Sequence, residues 1–353
     1  MEIQSISKDN LFALLKSLER DYSVLVPVKK NETQFYESFA GIFSNTNMGK
    51  NGTSVAIGQV RALEPLKTFY FRARQKVAEN FKDELPATGE KPLCLVGVKA
   101  CDLKSFKIMD TVFNGPDYTD PFYVRAREQN LIISSDCTST IESCFCLALH
   151  VNPHPEESFD LNLSEIGSGY VVETGSEKGA DIVKRHQALF EEAAQGQLKE
   201  RDEQRSRVSK EVRKNIEENR VPDQDRLAGV IKRNYNSSLW KEEGEKCVEC
   251  GACNAICPTC HCFLLYDQQD NKNLARFRVW DSCLIKDFAE VAGGANPRPQ
   301  LWMRLRNRFE KKFDFFPAIT DVYACTGCGR CILACPAKID IREVLRRNVE
   351  NVS

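Results

Sequence analysis

The chain contains 353 residues, of which 42% are hydrophobic and 20 are phenylalanine, a length and composition that predict two or three globular domains rather than a disordered chain. Its 49 basic and 50 acidic side chains leave a net charge of -1, so we expect no surface field that would hold nucleic acid or an anionic membrane. No apolar run is long enough to span a bilayer and no export signal opens the sequence, which predicts a cytoplasmic protein without membrane insertion.

The amino-terminal part reads as alternating helices and strands. A first helix is indicated by leucines at helical spacing, Leu11, Leu14, Leu15 and Leu18. A strand-like run follows at 22–28, and two further strand candidates begin at Leu93 and Leu131. These two candidates end just before Cys101 and Cys137. Because open sheets commonly place their sites at strand ends, residues 1–180 are predicted to form a mixed α/β domain with ligand-bearing loops there.

Cysteine is unusually frequent: the chain has 16 cysteines and only four histidines. Disulfide frameworks are typical of small secreted domains, so we expect metal sites built from thiolates instead. Four amino-terminal thiols match the number that a [4Fe-4S] cluster needs: Cys101, Cys137, Cys144 and Cys146. Their spacing alone leaves a zinc site or buried structural thiols open. Cys94 lies in an apolar strand pattern and is expected to be a bystander.

Residues 181–240 are predicted to be a charged helical linker. Between Lys199 and Arg220, 14 of 22 residues are charged, and only Val208, Val212 and Ile216 form an apolar stripe. This pattern indicates a solvated helix between two domains, with a partner-docking helix as the alternative.

The carboxy-terminal part carries one motif twice. CVECGACNAICP begins at Cys247 and CTGCGRCILACP begins at Cys325, and both have the spacing C-x2-C-G-x-C-x3-C-P. Three cysteines two residues apart wrap one [4Fe-4S] cluster, whereas the fourth points away and binds the cluster of the other repeat. Zinc sites usually need only C-x2-C pairs and no following proline.

Crossing of the fourth cysteine predicts two ligand sets. The first cluster is assigned to Cys247, Cys250, Cys253 and Cys335, and the second to Cys325, Cys328, Cys331 and Cys257. Residues 241–353 are therefore predicted to be a domain of the two-cluster bacterial ferredoxin type, with a long insertion at 258–324.

The insertion has two features of its own. Three cysteines, Cys260, Cys262 and Cys283, are interpreted as buried thiols, with a metal site that includes His261 as the alternative. A basic stretch runs from Arg298 through Arg304, Arg306 and Arg308 to Lys311 and Lys312. One interpretation of this stretch is a cover that offsets the negative charge of the clusters or docks an acidic partner. The alternative is an ordinary amphipathic helix.

The sequence contains no G-x-G-x-x-G, G-x-x-x-x-G-K-[ST], G-x-S-x-G or H-E-x-x-H motif. No nucleotide-binding loop or catalytic residue is therefore predicted. A chain with electron carriers and no substrate site is expected to carry electrons between other subunits.

With these residues in view, the chain resembles the two-cluster iron-sulfur subunits typified by the beta subunit of cytosolic sulfhydrogenases and the A subunit of anaerobic sulfite reductase. The resemblance rests on GVKACDL around Cys101, SDCT at Cys137, CFC at 144–146, the segment SGYVVETGSEKGADIV, CPTCHCF, WDSC and the two cluster motifs. It implies an additional amino-terminal cluster, for which we take Cys101, Cys137, Cys144 and Cys146. It also implies a hetero-oligomeric complex of anaerobes in which the chain relays electrons between a flavin-containing, nicotinamide-oxidising subunit and a catalytic subunit.

The sequence thus predicts an α+β chain with two [4Fe-4S] clusters and a third amino-terminal one. Its expected function is single-electron relay in a hydrogenase, sulfite reductase or heterodisulfide reductase type of complex. The alternative is an iron-sulfur oxidoreductase that acts on its own small substrate, a disulfide or sulfite. A redox-sensing regulator would need a nucleic-acid module, which no motif indicates.

Overall fold

The computed structural model describes residues 3–44, 54–80, 82, 86, 89–270 and 273–351. The strands are β1 (Ile3–Ile6), β2 (Ser23–Lys30), β3 (Thr33–Ser38), β4 (Ser54–Val55), β5 (Arg74–Glu79), β6 (Leu93–Val98), β7 (Leu131–Ser135), β8 (Leu161–Ile166), β9 (Gly169–Thr174), β10 (Glu191–Glu192), β11 (Phe263–Asp270) and β12 (Asn273–Trp280). The α-helices are α1 (Lys8–Leu18), α2 (Phe39–Ser44), α3 (Ala100–Leu103), α4 (Phe106–Phe113), α5 (Pro121–Gln129), α6 (Glu177–Arg185), α7 (Gln195–Glu218), α8 (Val230–Arg233), α9 (Leu239–Lys246), α10 (Ala252–Ala255), α11 (Leu301–Glu310), α12 (Phe316–Thr320), α13 (Arg330–Leu333) and α14 (Ile341–Glu350).

The amino-terminal part is built on a mixed sheet in the order β10-β1-β9-β8-β7-β6-β2-β3, with β4 also paired to β2. The central strands β2, β6, β7 and β8 are parallel, and the outer pairs are antiparallel. The predicted strands at Leu93 and Leu131 are confirmed as β6 and β7, and the predicted leucine helix as α1. The expected α+β class, with its mixed α/β amino-terminal part, is therefore correct.

Helices cover both faces of this sheet. Alternate residues of β6 enter different cores: Val96 packs with α1 and α6, whereas Leu95 packs with α4 and α5. Burial on both faces is typical of parallel strands, and it explains why β6, with the sequence LCLVGV, is wholly apolar. The carboxyl ends of β6 and β7 meet at one edge of the sheet, where Cys101 and Cys137 follow.

A second, three-stranded sheet joins the two halves of the chain. The hairpin β11–β12 comes from the predicted insertion, and β12 pairs antiparallel with β5 of the amino-terminal part. The buried Arg278 of β12 also pairs with Asp120, the residue that caps the start of α5. The predicted segments 1–180 and 241–353 therefore share a sheet, although their boundaries remain a prediction.

The predicted charged helix is present as α7, but it is not a solvated spacer. Val208 and Val212 are fully buried, and Arg205 donates to the buried Asp136 carboxylate at 2.7 Å. Val212 packs on Ala100 and Cys146. The narrow apolar stripe and one arginine thus hold α7 across the sheet edge, and its role as a linker between domains stays a prediction.

The carboxy-terminal part packs around Trp240 of α9, which is fully buried among side chains of α8, α11 and α14. Its indole Nε1 donates to the Asn234 carbonyl at 2.8 Å. Within the part of the chain that the structure describes, every helix is too short or too polar to cross a membrane.

Candidate metal centres

The first predicted ligand set lies around one cavity. Cys247, Cys250, Cys253 and Cys335 all line it, so the fourth cysteine comes from the other repeat, as its predicted crossing requires. Gly251 adopts a left-handed conformation (φ 70°) directly before α10, which turns the loop back between Cys250 and Cys253. Burial raises the pKa of Cys247, and the nearby thiols of Cys335 and Cys250 raise it further.

The second predicted set is also brought together. Burial, together with the nearby Cys257 and Cys328 thiols, raises the pKa of Cys325 to about 11 and that of Cys331 to about 12. Cys257 again belongs to the other repeat. Its sulfur accepts a hydrogen bond from Lys312 Nζ at 3.3 Å and lies 3.2 Å from Thr259 Oγ1.

The third set surrounds a cavity at the carboxyl edge of the sheet. All four predicted residues line it, Cys101, Cys137, Cys144 and Cys146, together with Cys328 of the second set. Cys101 lies in α3 just after β6, and Cys137 follows β7. Cys94 instead points into the sheet core and is fully buried, as expected of a bystander.

The spacing of the sulfurs bears on which metal fits these sets. Four thiolates on one zinc ion at about 2.3 Å would place their sulfurs about 3.8 Å apart. Among the described residues, which include all 16 cysteines, no three thiol sulfurs lie within 4.8 Å of one another. The sets are therefore too wide for a single zinc ion, whereas a cubane binds each thiolate at a different iron.

Buried cations surround the first two sets. Lys67, Arg308 and Lys312 are at most 5% exposed, and among the described residues none of them pairs with a carboxylate. Lys67 Nζ donates only to the carbonyls of Asn254 and Cys260, both at 2.9 Å, and Arg308 Nη2 is buried without a partner. Burial lowers the pKa of Lys312, but the Cys257 and Cys260 sulfurs outweigh that effect and raise it.

Buried cations without a carboxylate partner also lie beside the third set. Lys99 is 2% exposed and donates to the Ile57 carbonyl, Ser135 Oγ and the Asp136 carbonyl rather than to a carboxylate. Arg61 lines the cavity with two buried nitrogens, Nε and Nη2, that lack partners. A buried cation without a counter-charge is costly. A negatively charged thiolate-bound cluster supplies that counter-charge, so the residues at all three sets fit such a group.

Direct backbone contact joins the second set to the third. A Cβ on Gly327 would lie 2.4 Å from Cys146 Cα, and one on Gly329 would lie 2.1 Å from the Ser143 carbonyl oxygen. Both glycines have φ near +70°, and Phe145 N donates to the Gly327 carbonyl at 2.9 Å. Only glycine allows this approach. The first set adjoins the second in turn through α10 and α13, so the three sets lie in a row.

Comparisons with known proteins agree with this arrangement. A family profile described as a 4Fe-4S dicluster domain matches residues 246–339. The chain is 32% identical over 338 residues to sulfhydrogenase 2 subunit beta of Pyrococcus furiosus, an alignment that covers 95% of this chain and 93% of that protein.

The chain belongs to the sulfhydrogenase beta-subunit family. The predicted resemblance and the predicted pair of [4Fe-4S] clusters in the carboxy-terminal part are thereby confirmed. F420-dependent formate dehydrogenase subunit beta of Methanocaldococcus jannaschii is 25% identical over 108 residues, which are 31% of this chain and 21% of that protein.

In this family member the basic stretch is not a docking surface. Arg304, Arg306, Arg308 and Lys312 are all buried, because α11 and the π-helical turn Lys311–Phe315 pack against α8 and α9. Arg304 donates to the Leu284 carbonyl at 2.8 Å, and Arg308 to Asn254 Oδ1 at 2.9 Å. The structure therefore corrects the docking interpretation and favours the other half of that prediction, a cover that offsets charge.

Sequence reasoning missed several residues at these sites. Lys67, Lys99 and Arg61 stand alone in loops or after a strand, and a single basic residue gives no spacing signal. Asp102 was likewise passed over, although it holds Arg330 between the second and third sets at 2.7 and 2.8 Å. The three extra cysteines gather at the base of the β11–β12 hairpin, where Cys283 is buried and Cys260 and Cys262 are partly exposed.

Proposed function

We propose that this chain is an iron-sulfur relay subunit. It would carry single electrons between a flavin-containing, NAD(P)H-type subunit and the catalytic subunit of a cytosolic anaerobic oxidoreductase complex. The observation that carries the proposal is the row of three thiol sets, in which the middle set contacts both of the others. A relay needs such a row of redox centres, because electrons must pass between two partners that contact opposite ends of the row.

The ligands proposed for the three clusters are the sets described above. The first set is Cys247, Cys250, Cys253 and Cys335; the second is Cys325, Cys328, Cys331 and Cys257; the third is Cys101, Cys137, Cys144 and Cys146. When bound, a [4Fe-4S] cluster accepts and releases one electron at a time.

The chain's own residues would hold and tune these groups. Each thiol must lose its proton to bind iron, and Lys312 Nζ, 3.3 Å from Cys257 Sγ, stabilises the thiolate form there. Arg308, Lys67, Lys99 and Arg61 add buried positive charge, which favours the reduced and more negative state of a cluster. Of the twelve thiols, Cys146 and Cys257 are buried, Cys250 is exposed and the other nine are partly exposed.

Partners are required because the sequence contains no nucleotide-binding or phosphate-binding motif. The relative in Pyrococcus furiosus is named as a subunit, which supports a place for this chain in a hetero-oligomeric complex. The hydrogenase type of complex is the one that this relative's name favours over the sulfite reductase or heterodisulfide reductase type.

The test uses the full chain reconstituted with iron and sulfide without oxygen. Three clusters predict about twelve irons per chain, and the Cys137→Ser variant should fall to about eight while keeping its fold. The wild-type chain should accept electrons from dithionite yet fail to oxidise NADH or NADPH until a flavoprotein partner is added. Unaided turnover of NADH, sulfite or a small disulfide would refute the relay and favour an enzyme, and about eight irons in the wild type would remove the third cluster.

A further inference from the structure

Two thiols outside the three sets lie against each other at the base of the β11–β12 hairpin. Cys262 precedes β11 and Cys283 follows β12, and the bond from Asp281 N to the Cys262 carbonyl at 2.9 Å closes the hairpin between them. The Cys262 thiol donates a hydrogen bond to the Cys283 sulfur. Both residues are thiols in the structure, and their contact places them where a disulfide can form.

The surroundings of Cys283 differ from those of an ordinary buried cysteine. The side-chain amide of Asn254 donates to Cys283 Sγ at 3.3 Å. The hydrogen bond from Cys262, helped by Lys311 and Asn254, lowers the pKa of Cys283 to about 6 even though the residue is only 4% exposed. Cys94 provides the contrast within the same chain, because it packs among apolar side chains and burial raises its pKa.

Polar contacts through Asn254 and Cys260 connect this thiol pair to the two ferredoxin-type sets. Asn254 follows Cys253 of the first set, and its Oδ1 accepts from Arg308 Nε at 2.9 Å and lies 3.9 Å from Cys253 Sγ. On the other side, the Cys260 thiol is hydrogen-bonded to Cys257 of the second set and lies 3.6 Å from Asn254 Oδ1. One asparagine therefore touches a proposed iron ligand and the buried member of the pair.

We propose that Cys262 and Cys283 are a redox-active dithiol that exchanges electrons with the adjacent iron-sulfur sets. With Cys283 as the thiolate and Cys262 as the thiol, closing the pair breaks one S–H bond and forms one S–S bond, which releases one proton and two electrons. The electrons pass singly to the neighbouring sets, and the proton leaves through Cys262, the partly exposed member. Opening the disulfide reverses each step. This inference rests on the proposed relay function, since that function supplies the electron acceptor.

Such a pair gives the relay a place to hold two electrons together. Hydride donors deliver electrons in pairs, whereas a [4Fe-4S] cluster takes one. A disulfide beside the row accepts both electrons together with one proton, and the thiolate that forms at Cys283 is stabilised by Asn254 and Lys311. A metal site at these cysteines is not supported, since among the described residues no three of their sulfurs come within 4.8 Å.

The experiment poises the full, cluster-loaded chain at a series of potentials with mediators, quenches it in acid and alkylates the free thiols. Trypsin releases Cys283 alone in peptide 279–286 and Cys262 in peptide 247–272. At oxidising potentials the two peptides should be recovered joined, and at reducing potentials separate and alkylated. The ratio should change tenfold for about 30 mV, as a two-electron couple requires.

Matched variants distinguish this pair from other thiols and from the relay itself. The joined peptide should disappear in Cys262→Ser and persist in Cys260→Ser and Cys94→Ser, and iron content should stay at the wild-type level in all three. A peptide 279–286 that is fully alkylated at every potential would overturn the proposal, as would a joined peptide that survives in Cys262→Ser. Iron content is measured on the same samples, so a failure of cluster loading would refute the relay separately from the dithiol.

Discussion

The buried ion pair between Asp102 and Arg330 provides the sharpest test of how the second and third sets are held together. Asp102 follows Cys101 and Arg330 precedes Cys331. The guanidinium donates to both carboxylate oxygens, at 2.8 and 2.7 Å, and both side chains are almost completely buried. We expect Asp102→Ala to destabilise the chain strongly, because it leaves a buried charge with only the carbonyls of Ala62 and Glu64 as partners.

The magnitude follows from the burial. Removing one member of a buried ion pair costs about 3–5 kcal/mol, a factor of roughly 150 to 5,000 in the folding equilibrium. Asp102→Asn keeps an oxygen that accepts from Arg330 and should lose less. The exposed pair Asp267–Arg276 is the matched control, since both side chains are nearly half exposed and Asp267→Ala should cost at most about 1 kcal/mol.

Urea unfolding of the cluster-loaded proteins, followed by tryptophan fluorescence and by bleaching of the visible absorbance, measures the effect. The Asp102→Ala protein should unfold at clearly lower urea and should lose iron of the third set first. If Asp102→Ala matches Asp267→Ala within about 1 kcal/mol, the pair does not hold the two sets together and the reasoning fails.

Three further outcomes are expected. Cys335→Ser should abolish the spectrum of the cluster at Cys247, Cys250 and Cys253, and Cys257→Ser that of the other ferredoxin-type cluster; site-resolved electron paramagnetic resonance showing each variant losing the cluster of its own motif would contradict the crossing. Arg61→Leu should lower the midpoint potential of the third cluster by roughly 65–130 mV at unchanged iron content, because a hydrogen bond to a charged group is worth about 1.5–3 kcal/mol. A redox titration with an unchanged midpoint would show that Arg61 does not tune this cluster. Burial lowers the pKa of His261 to about 4, so between its ordinary value and pH 4 the unfolded chain binds a proton that the folded chain does not. The free energy of unfolding should therefore fall by about 1 kcal/mol from pH 7.5 to pH 5.5. The His261→Asn protein should lose less over that range, and equal shifts of the urea midpoint in both proteins would contradict this role of His261.

The sequence predicted the parts of this molecule that depend on local pattern. The strands at Leu93 and Leu131 are continuous apolar runs, and α1 has leucines at helical spacing, so periodicity alone located them. The repeated cysteine motif predicted which thiols meet, including the crossing of Cys257 and Cys335, because its spacing is fixed by the geometry of the cluster loop.

Features that depend on contacts between residues far apart in the sequence could not be predicted from local pattern. The basic residues of α11 were interpreted as a surface because charge usually faces water, but nearby thiols make the interior the favourable place for Arg308 and Lys312. The linker helix α7 was expected to be solvated because 14 of the 22 residues from Lys199 to Arg220 are charged. Its tie to the sheet is made by Arg205, whose partner Asp136 is 69 residues away and follows a strand.

The pairing of β5 with β12 has a consequence for how the chain is made. Gln75 of β5 and Arg278 of β12 are 203 residues apart and hydrogen-bonded. At about 5–20 residues per second of synthesis, β5 waits roughly 10–40 s for its partner strand. During that time its free edge is open to pairing with other chains, a known route to aggregation. Assembly of this protein in a foreign host should therefore be limited by protection of the nascent amino-terminal part as much as by the supply of iron.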